Sequence, residues 1–138
     1  MAKFEEVKEG VIFPLGEEIG DLAQYFSGEG YLERLVSDPE IDVGVSNVTF
    51  APGTYNNWHI HRSGYQILLV TGGEGWYQKE GEAPELLRAG DTVVVHEDVK
   101  HWHGATKDSW FVHLSISAGE IEWLEPVDEE FFLSIHKN

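Results

Sequence analysis

His59, His61, Gln66 and, thirty-five residues further on, His101 are the side chains best placed by type and spacing to do chemistry. In an extended strand, residues two apart point to the same face, so His59 and His61 can present both imidazoles to one point. Neutral imidazole is the commonest protein ligand for zinc, copper, iron and nickel, and an amide oxygen can complete such a set. The chain has seven histidines, and five of them fall in or beside stretches that read as strands. A metal centre is the leading reading. The competing one for His59 and His61 alone is a pair of barrel-lining histidines with no ion between them.

Three neutral imidazoles and an amide would leave a divalent cation its full charge, where a glutamate at position 66 would cancel half of it. Such a site is a strong Lewis acid that attracts anions or developing alkoxides. The absence of sulfur ligands disfavours the softer metals and leaves Mn, Fe, Co, Ni and Zn compatible with the donor set. His103 follows His101 by two residues and shares its face if the strand continues. His113 shares a face with Phe111, Ser115 and Ser117, opposite Val112, Leu114 and Ile116. Two roles are open to His103 and His113, a general base or a hydrogen-bonded interior side chain. His96 reads as a loop residue and His136 as a tail residue.

These side chains need strands to position them, and the sequence supplies them. Val11-Ile12-Phe13-Pro14 reads as a short edge strand, Glu18 to Phe26 as a short helix ended by Ser27-Gly28, and Tyr31 to Val36 as a strand. Ile41, Val43 and Val45 alternate with polar residues in a run that continues to Phe50. Gln66 to Thr71 is a nearly continuous apolar strand, with Gly72-Gly73-Glu74-Gly75 expected as a tight connection. Trp76 to Gln78 and Glu85 to Leu87 flank a turn at Glu80-Gly81. Thr92 to Val95 and Trp110 to Ser117 complete the series, and Asp128 is placed to cap a short terminal helix. Short strands with glycine-rich turns between them indicate an all-β sandwich or barrel.

Composition narrows the function. At 138 residues the chain fits one domain with a real core. Nine basic against twenty-five acidic residues give a net charge of −16, which argues against a nucleic-acid partner and an anionic membrane surface. The absence of cysteine removes disulfides, thiolate metal sites and cysteine nucleophiles. No long apolar run reads as a membrane span, and Met1 to Gly10 is charged rather than signal-like, so the expected location is cytoplasmic.

The spacing Gly53-x5-His59-x-His61-x4-Gln66-x6-Gly73 resembles the first motif of the cupin superfamily. Gly90 and His101 match the second motif, in which His96, Asp98 and Ala105 replace the usual proline, glycine and asparagine, and Gln66 takes the usual glutamate position in the first. Loss of the proline and glycine implies a different loop, although Asp98 can adopt a left-handed conformation. Gln66 to Thr71, Gly73 to Trp76 and Lys100 to Ala105 also look like small single-domain cupins related to carboxymuconolactone decarboxylases, a group that includes manganese-dependent hydroxynitrile lyases.

That resemblance implies a double-stranded β-helix, or jelly-roll, barrel over residues 41–118. Residues 1–40 would form an extension with a strand exchanged in a homodimer, and 119–138 a strand and helix tail. It implies His59, His61, Gln66 and His101 as ligands to one divalent transition metal, with Mn favoured. It also implies that His103 and His113 line the pocket. Phe50, Ile67, Leu69, Leu114 and the tryptophans are candidate walls. The expected function is a metal-dependent lyase or decarboxylase on a small carbonyl, hydroxy-acid or cyanohydrin-like substrate. The alternatives are a metal-dependent dioxygenase and a non-catalytic metal-bearing barrel that binds a small ligand. Cupins host many chemistries, so the fold alone does not choose.

Overall fold

A computed structural model of the chain describes residues 12–136. The charged stretch Met1 to Gly10 and Val11, the first residue of the expected edge strand, lie outside them. Ile12 to Pro14 form no strand; the Pro14 carbonyl instead accepts from Asn47 Nδ2 at 2.9 Å. A short β1 follows at Glu17–Glu18, then a 3-10 helix at Gly20–Tyr25. The other strands are β2 Gly30–Ser37, β3 Gly44–Phe50, β4 His59–Lys79, β5 Glu85–Arg88, β6 Thr92–Val95, β7 His101–Ala105 and β8 Phe111–Trp123. One helix, α1, spans Glu129–Ser134. Asp128 Oδ2 accepts from the Phe131 amide at 3.0 Å and satisfies one of the donors that the helix start leaves open.

The molecule is all-β, with hydrogen-bonded order β1-β2-β3-β8-β4-β5 and with β6 and β7 also pairing to β4. β4 runs for 21 residues and closes the structure, because its two ends serve different neighbours. Its first part pairs with the far end of β8 (His59 opposite Trp123, His61 opposite Ile121), its middle with β6 and the start of β8, and its last part with β5 and β7. β2, from the segment expected to be exchanged, pairs antiparallel with β3 of the same chain.

The expected turn at Gly72-Gly73-Glu74-Gly75 does not occur, and β4 runs through it. These glycines serve close strand approach. A Cβ on Gly73, whose φ is 71°, would stand 1.7 Å from the Trp110 carbonyl oxygen, and one on Gly75 would stand 2.4 Å from the Phe111 ring. Glycine inside a strand commonly marks such an approach, and the pairing with β8 shifts register here, between Val70 and Gly72.

Two apolar clusters sit on opposite sides of the strands. Val48, Phe50, Val70, Val95 and Phe111 form the inner one. Tyr55, Trp102, Val127 and Phe132 form the outer one, under α1. The alternation of β7 separates them, since Trp102 faces outward between two inward-facing histidines.

Candidate metal centre

Burial concentrates histidines at one end of the barrel. His59, His61, His101, His103 and His113 are all at most 3% exposed. Their convergence follows from pairing: His59 and His61 open β4, His101 opens β7 directly beside His59, and His113 lies in β8 opposite Val70. The loop that replaces the expected proline and glycine keeps this geometry. Asp98 adopts φ 62°, its amide donates to the His61 carbonyl at 3.1 Å, and its carboxylate meets Arg62 at 3.5 Å.

The ligand atoms of His59, His61 and His101 all lie within 4.8 Å of one another. Gln66 Oε1 stands 3.1 Å from His61 Nε2 and 3.0 Å from His101 Nε2. Two backbone carbonyls set the tautomers. His59 Nδ1 donates to the Asn57 oxygen at 2.8 Å and His101 Nδ1 to the Val99 oxygen at 3.0 Å. Each ring therefore carries its lone pair on Nε2. Burial is the leading cause that lowers the pKa of all three rings, that of His101 to about 4, and the neighbouring imidazoles lower His59 further. Neutral imidazole is the ligating form.

The fit to a cation rests on one contact. His101 Nε2 and Gln66 Oε1 are both acceptors, yet they face each other at hydrogen-bond distance. The reversed amide would satisfy a metal-free site, because its two N–H groups could donate to both imidazoles. The orientation found presents oxygen to both imidazoles instead, while Gln66 Nε2 donates to Ser115 Oγ at 2.9 Å. Two donors at right angles on a cation, with bonds of about 2.1 Å, stand about 3.0 Å apart, whereas tetrahedral ones stand about 3.4 Å apart. The separations from Oε1 fit the first case. Three imidazoles and an amide thus suit a divalent metal with open positions.

A cavity of about 220 Å³ opens beside this group. His103, His113, Ser115, Phe50, Ile121 and Trp123 are among its walls. His103 is set by Asn56, whose Oδ1 accepts from the His103 amide at 3.0 Å while Nδ2 faces ring Nε2 at 3.4 Å. That leaves the His103 proton on Nδ1, which has no protein partner. His113 is the complement: Nδ1 donates to the Leu114 oxygen at 3.2 Å and Nε2 carries an unpartnered lone pair. Burial pushes the His113 pKa down to about 4.

The expected walls need correction. Ile67, Leu69 and Leu114 do not line the cavity, because they alternate with Gln66, Leu68 and His113 and so face the other way. Among the tryptophans only Trp123 lines it; Trp102 is buried in the outer cluster, with Trp58 and Trp76 packed against it. Ser115, expected on the face of His113, and Trp123, one of the tryptophans expected as walls, both line the cavity. The parity of His113, read onward along β8, is the signal that reaches both.

Known proteins bear on this arrangement. The cupin domain model matches residues 46–117. The (R)-mandelonitrile lyase of Granulicella tundricola is 40% identical over 114 residues, covering 78% of this chain and 86% of that protein. A cupin-like protein of Thermotoga maritima superposes with TM-score 0.82 at 38% identity, covering 89% of this chain and 95% of that one. A predicted oxalate decarboxylase of the same organism reaches TM-score 0.67 at 20% identity, over 75% of this chain and 91% of its own, a likeness of fold alone. Among the described residues no helix is long and apolar enough to cross a membrane. Motif spacing, barrel pairing and the buried histidine group agree with the domain match, and the chain belongs to the cupin family.

Proposed function

We propose that this protein is a metal-dependent lyase that cleaves or forms a bond beside a small carbonyl or hydroxyl group, as in a cyanohydrin. One observation carries the reading. The amide oxygen of Gln66 is turned toward the His101 lone pair at 3.0 Å, an arrangement that a cation between them makes favourable. His59, His61, Gln66 and His101 would hold the ion, with Mn favoured. The relative named (R)-mandelonitrile lyase supports the reaction class.

When bound, the ion would supply Lewis acidity undiminished by any ligand charge. The chain's own residues would handle the proton. His113 Nε2 is neutral, unpartnered and on the cavity wall, so it is the acceptor for a substrate hydroxyl proton. His103 offers its Nδ1 proton to a developing negative charge or a leaving group. Phe50 and Val48, both buried, give them apolar neighbours, which strengthens each polar interaction inside.

The test is elemental analysis of protein purified without added metal, followed by a cyanohydrin-cleavage assay after loading with Mn(II). About one equivalent of metal and metal-dependent release of aldehyde and cyanide are expected. Oxygen consumption by the iron-loaded protein, with no cyanohydrin cleavage under any loading, would replace the lyase reading with an oxygenase.

A further inference from the structure

The charge on the cavity wall is unlike that of the rest of the molecule. The chain carries twenty-five acidic residues, yet among the described residues no Asp or Glu lines the cavity, and the one cationic wall residue among them is Arg34. Among the described residues Arg34 and Lys107 are the cations without a carboxylate pair, and of the two only Arg34 lines the cavity. Arg62, Lys79, Arg88 and Lys100 each pair with at least one carboxylate. Arg34 has no such pair, although Glu17, Glu18 and Glu33 border one adjoining groove with it, and Asp38 and Asp42 another. Among the described residues this guanidinium has several acidic neighbours and pairs with none of them.

Pairing explains how Arg34 reaches the cavity from the edge of the sheet. It lies directly opposite Ser46 of β3, and Ser46 lies opposite Ser115 of β8. Ser115 in turn accepts from Gln66. A row of polar side chains therefore crosses three adjacent strands, from the amide that faces the imidazoles to the guanidinium at the mouth. Neighbouring strands stand about 4.8 Å apart, so the backbones of Arg34 and Ser115 are separated by about 10 Å. The register shift in β2 falls immediately after Arg34, between it and Val36, and such bulges re-aim side chains at sheet edges.

We infer that Arg34 recognises a carboxylate, so that the natural substrate is a small organic acid with its acid group at the mouth and its carbonyl or hydroxyl oxygen at the histidine end. The inference rests on the metal-site reading above. Guanidinium binds carboxylate through two parallel hydrogen bonds, which fixes orientation as well as charge. A neutral cyanohydrin would leave this group idle.

The experiment uses the Mn(II)-loaded full chain and two probes, levulinate and its methyl ester, which share a ketone and differ in the charge a few bonds away. Binding is followed by isothermal titration and by water-proton relaxation of the bound Mn(II), on the wild type, Arg34→Gln and Arg34→Lys. Arg34→Gln is expected to weaken levulinate about tenfold and leave the ester and the metal content unchanged, with Arg34→Lys in between. Direct coordination of carboxylate to the ion would not respond to Arg34. Equal affinities for levulinate in wild type and Arg34→Gln, or equal losses for acid and ester, overturn the assignment while the metal site stands. Charge-selective binding without cyanohydrin cleavage sinks the cyanohydrin reading and keeps Arg34. Failure of both probes to bind the wild type sinks the inference.

Discussion

His101 and His136 are both held by backbone carbonyls at Nδ1, and they differ in what the other nitrogen meets. His136 Nδ1 donates to the Phe132 oxygen at 2.9 Å, and its Nε2 accepts from Trp76 Nε1 and from the Lys107 amide, each at 3.0 Å. Every polar atom of that ring has a protein partner, and the ring fastens α1 to the barrel. His101 Nδ1 is likewise bonded, but Nε2 meets another acceptor in a fully buried site. Buried polar groups normally find complementary partners, so unsatisfied lone pairs gathered in one place mark a site that expects a ligand. The outer histidine has its partners within the protein, whereas the inner group could hold a metal ion.

The sharpest way to break this contrast is His101→Ala. Loss of one of four donors should weaken metal binding by more than about 100-fold, since even removal of an outer partner of a ligand costs 10- to 100-fold. Metal measured after gel filtration should fall from about one equivalent to background, and any metal-dependent turnover with it. Retention of a full equivalent would mean that the four residues are not the ligand set.

Much of this site could be read from the sequence because strand parity is strict. His59 with His61, His101 with His103, and His113 with Ser115 and Ser117 each obey a period of two; the ligand atoms of His59, His61 and His101 converge, and His103, His113, Ser115 and Ser117 share the cavity wall. What escaped depends on the partner strand. Gly73 and Gly75 look like turn residues until β8 is seen against them. Leu22, Phe26 and Arg34 wall the cavity from before residue 41, and no motif spacing reaches them, whereas Ile121 and Trp123, beyond residue 118, follow from the parity of His113. Ile67 and Leu69 show the reverse, since the parity of Gln66 already places them on the far face.

His113→Ala separates proton handling from metal holding. Metal content should stay at the wild-type level while turnover falls by about 10²- to 10⁴-fold, the range for a positioned acid or base. Unchanged turnover would make His113 a wall residue only. The same ring predicts a stability profile. In the fold it stays neutral down to about pH 4, whereas its ordinary value is 6.5. Between those values the unfolded chain binds more protons, so stability should be full above pH 6.5 and fall as the pH drops toward 4. Urea unfolding across that window should show the decline, shallower in His113→Phe.

Ser115→Ala tests how the amide is aimed. Without an acceptor for Nε2, Gln66 is free to turn and offer its N–H groups to the imidazoles. Affinity for Mn(II) should fall about tenfold, read by chelator competition, and Ser115→Thr should recover most of it. An unchanged affinity would assign the aim of Gln66 to packing alone.

The smallest effect sharpens the comparison from its other side. His136→Ala removes the acceptor for Trp76 Nε1 and the Lys107 amide, and the donor to Phe132. These bonds are only partly buried, so water can replace much of what is lost, and the expected cost is about 1 kcal/mol of unfolding free energy. Metal content and turnover should not change, because α1 and the histidine group lie on opposite sides of β7. A loss of metal in this variant would show that the helix holds the β7 histidines in place, and the division between fastening and ligating imidazoles would then be wrong.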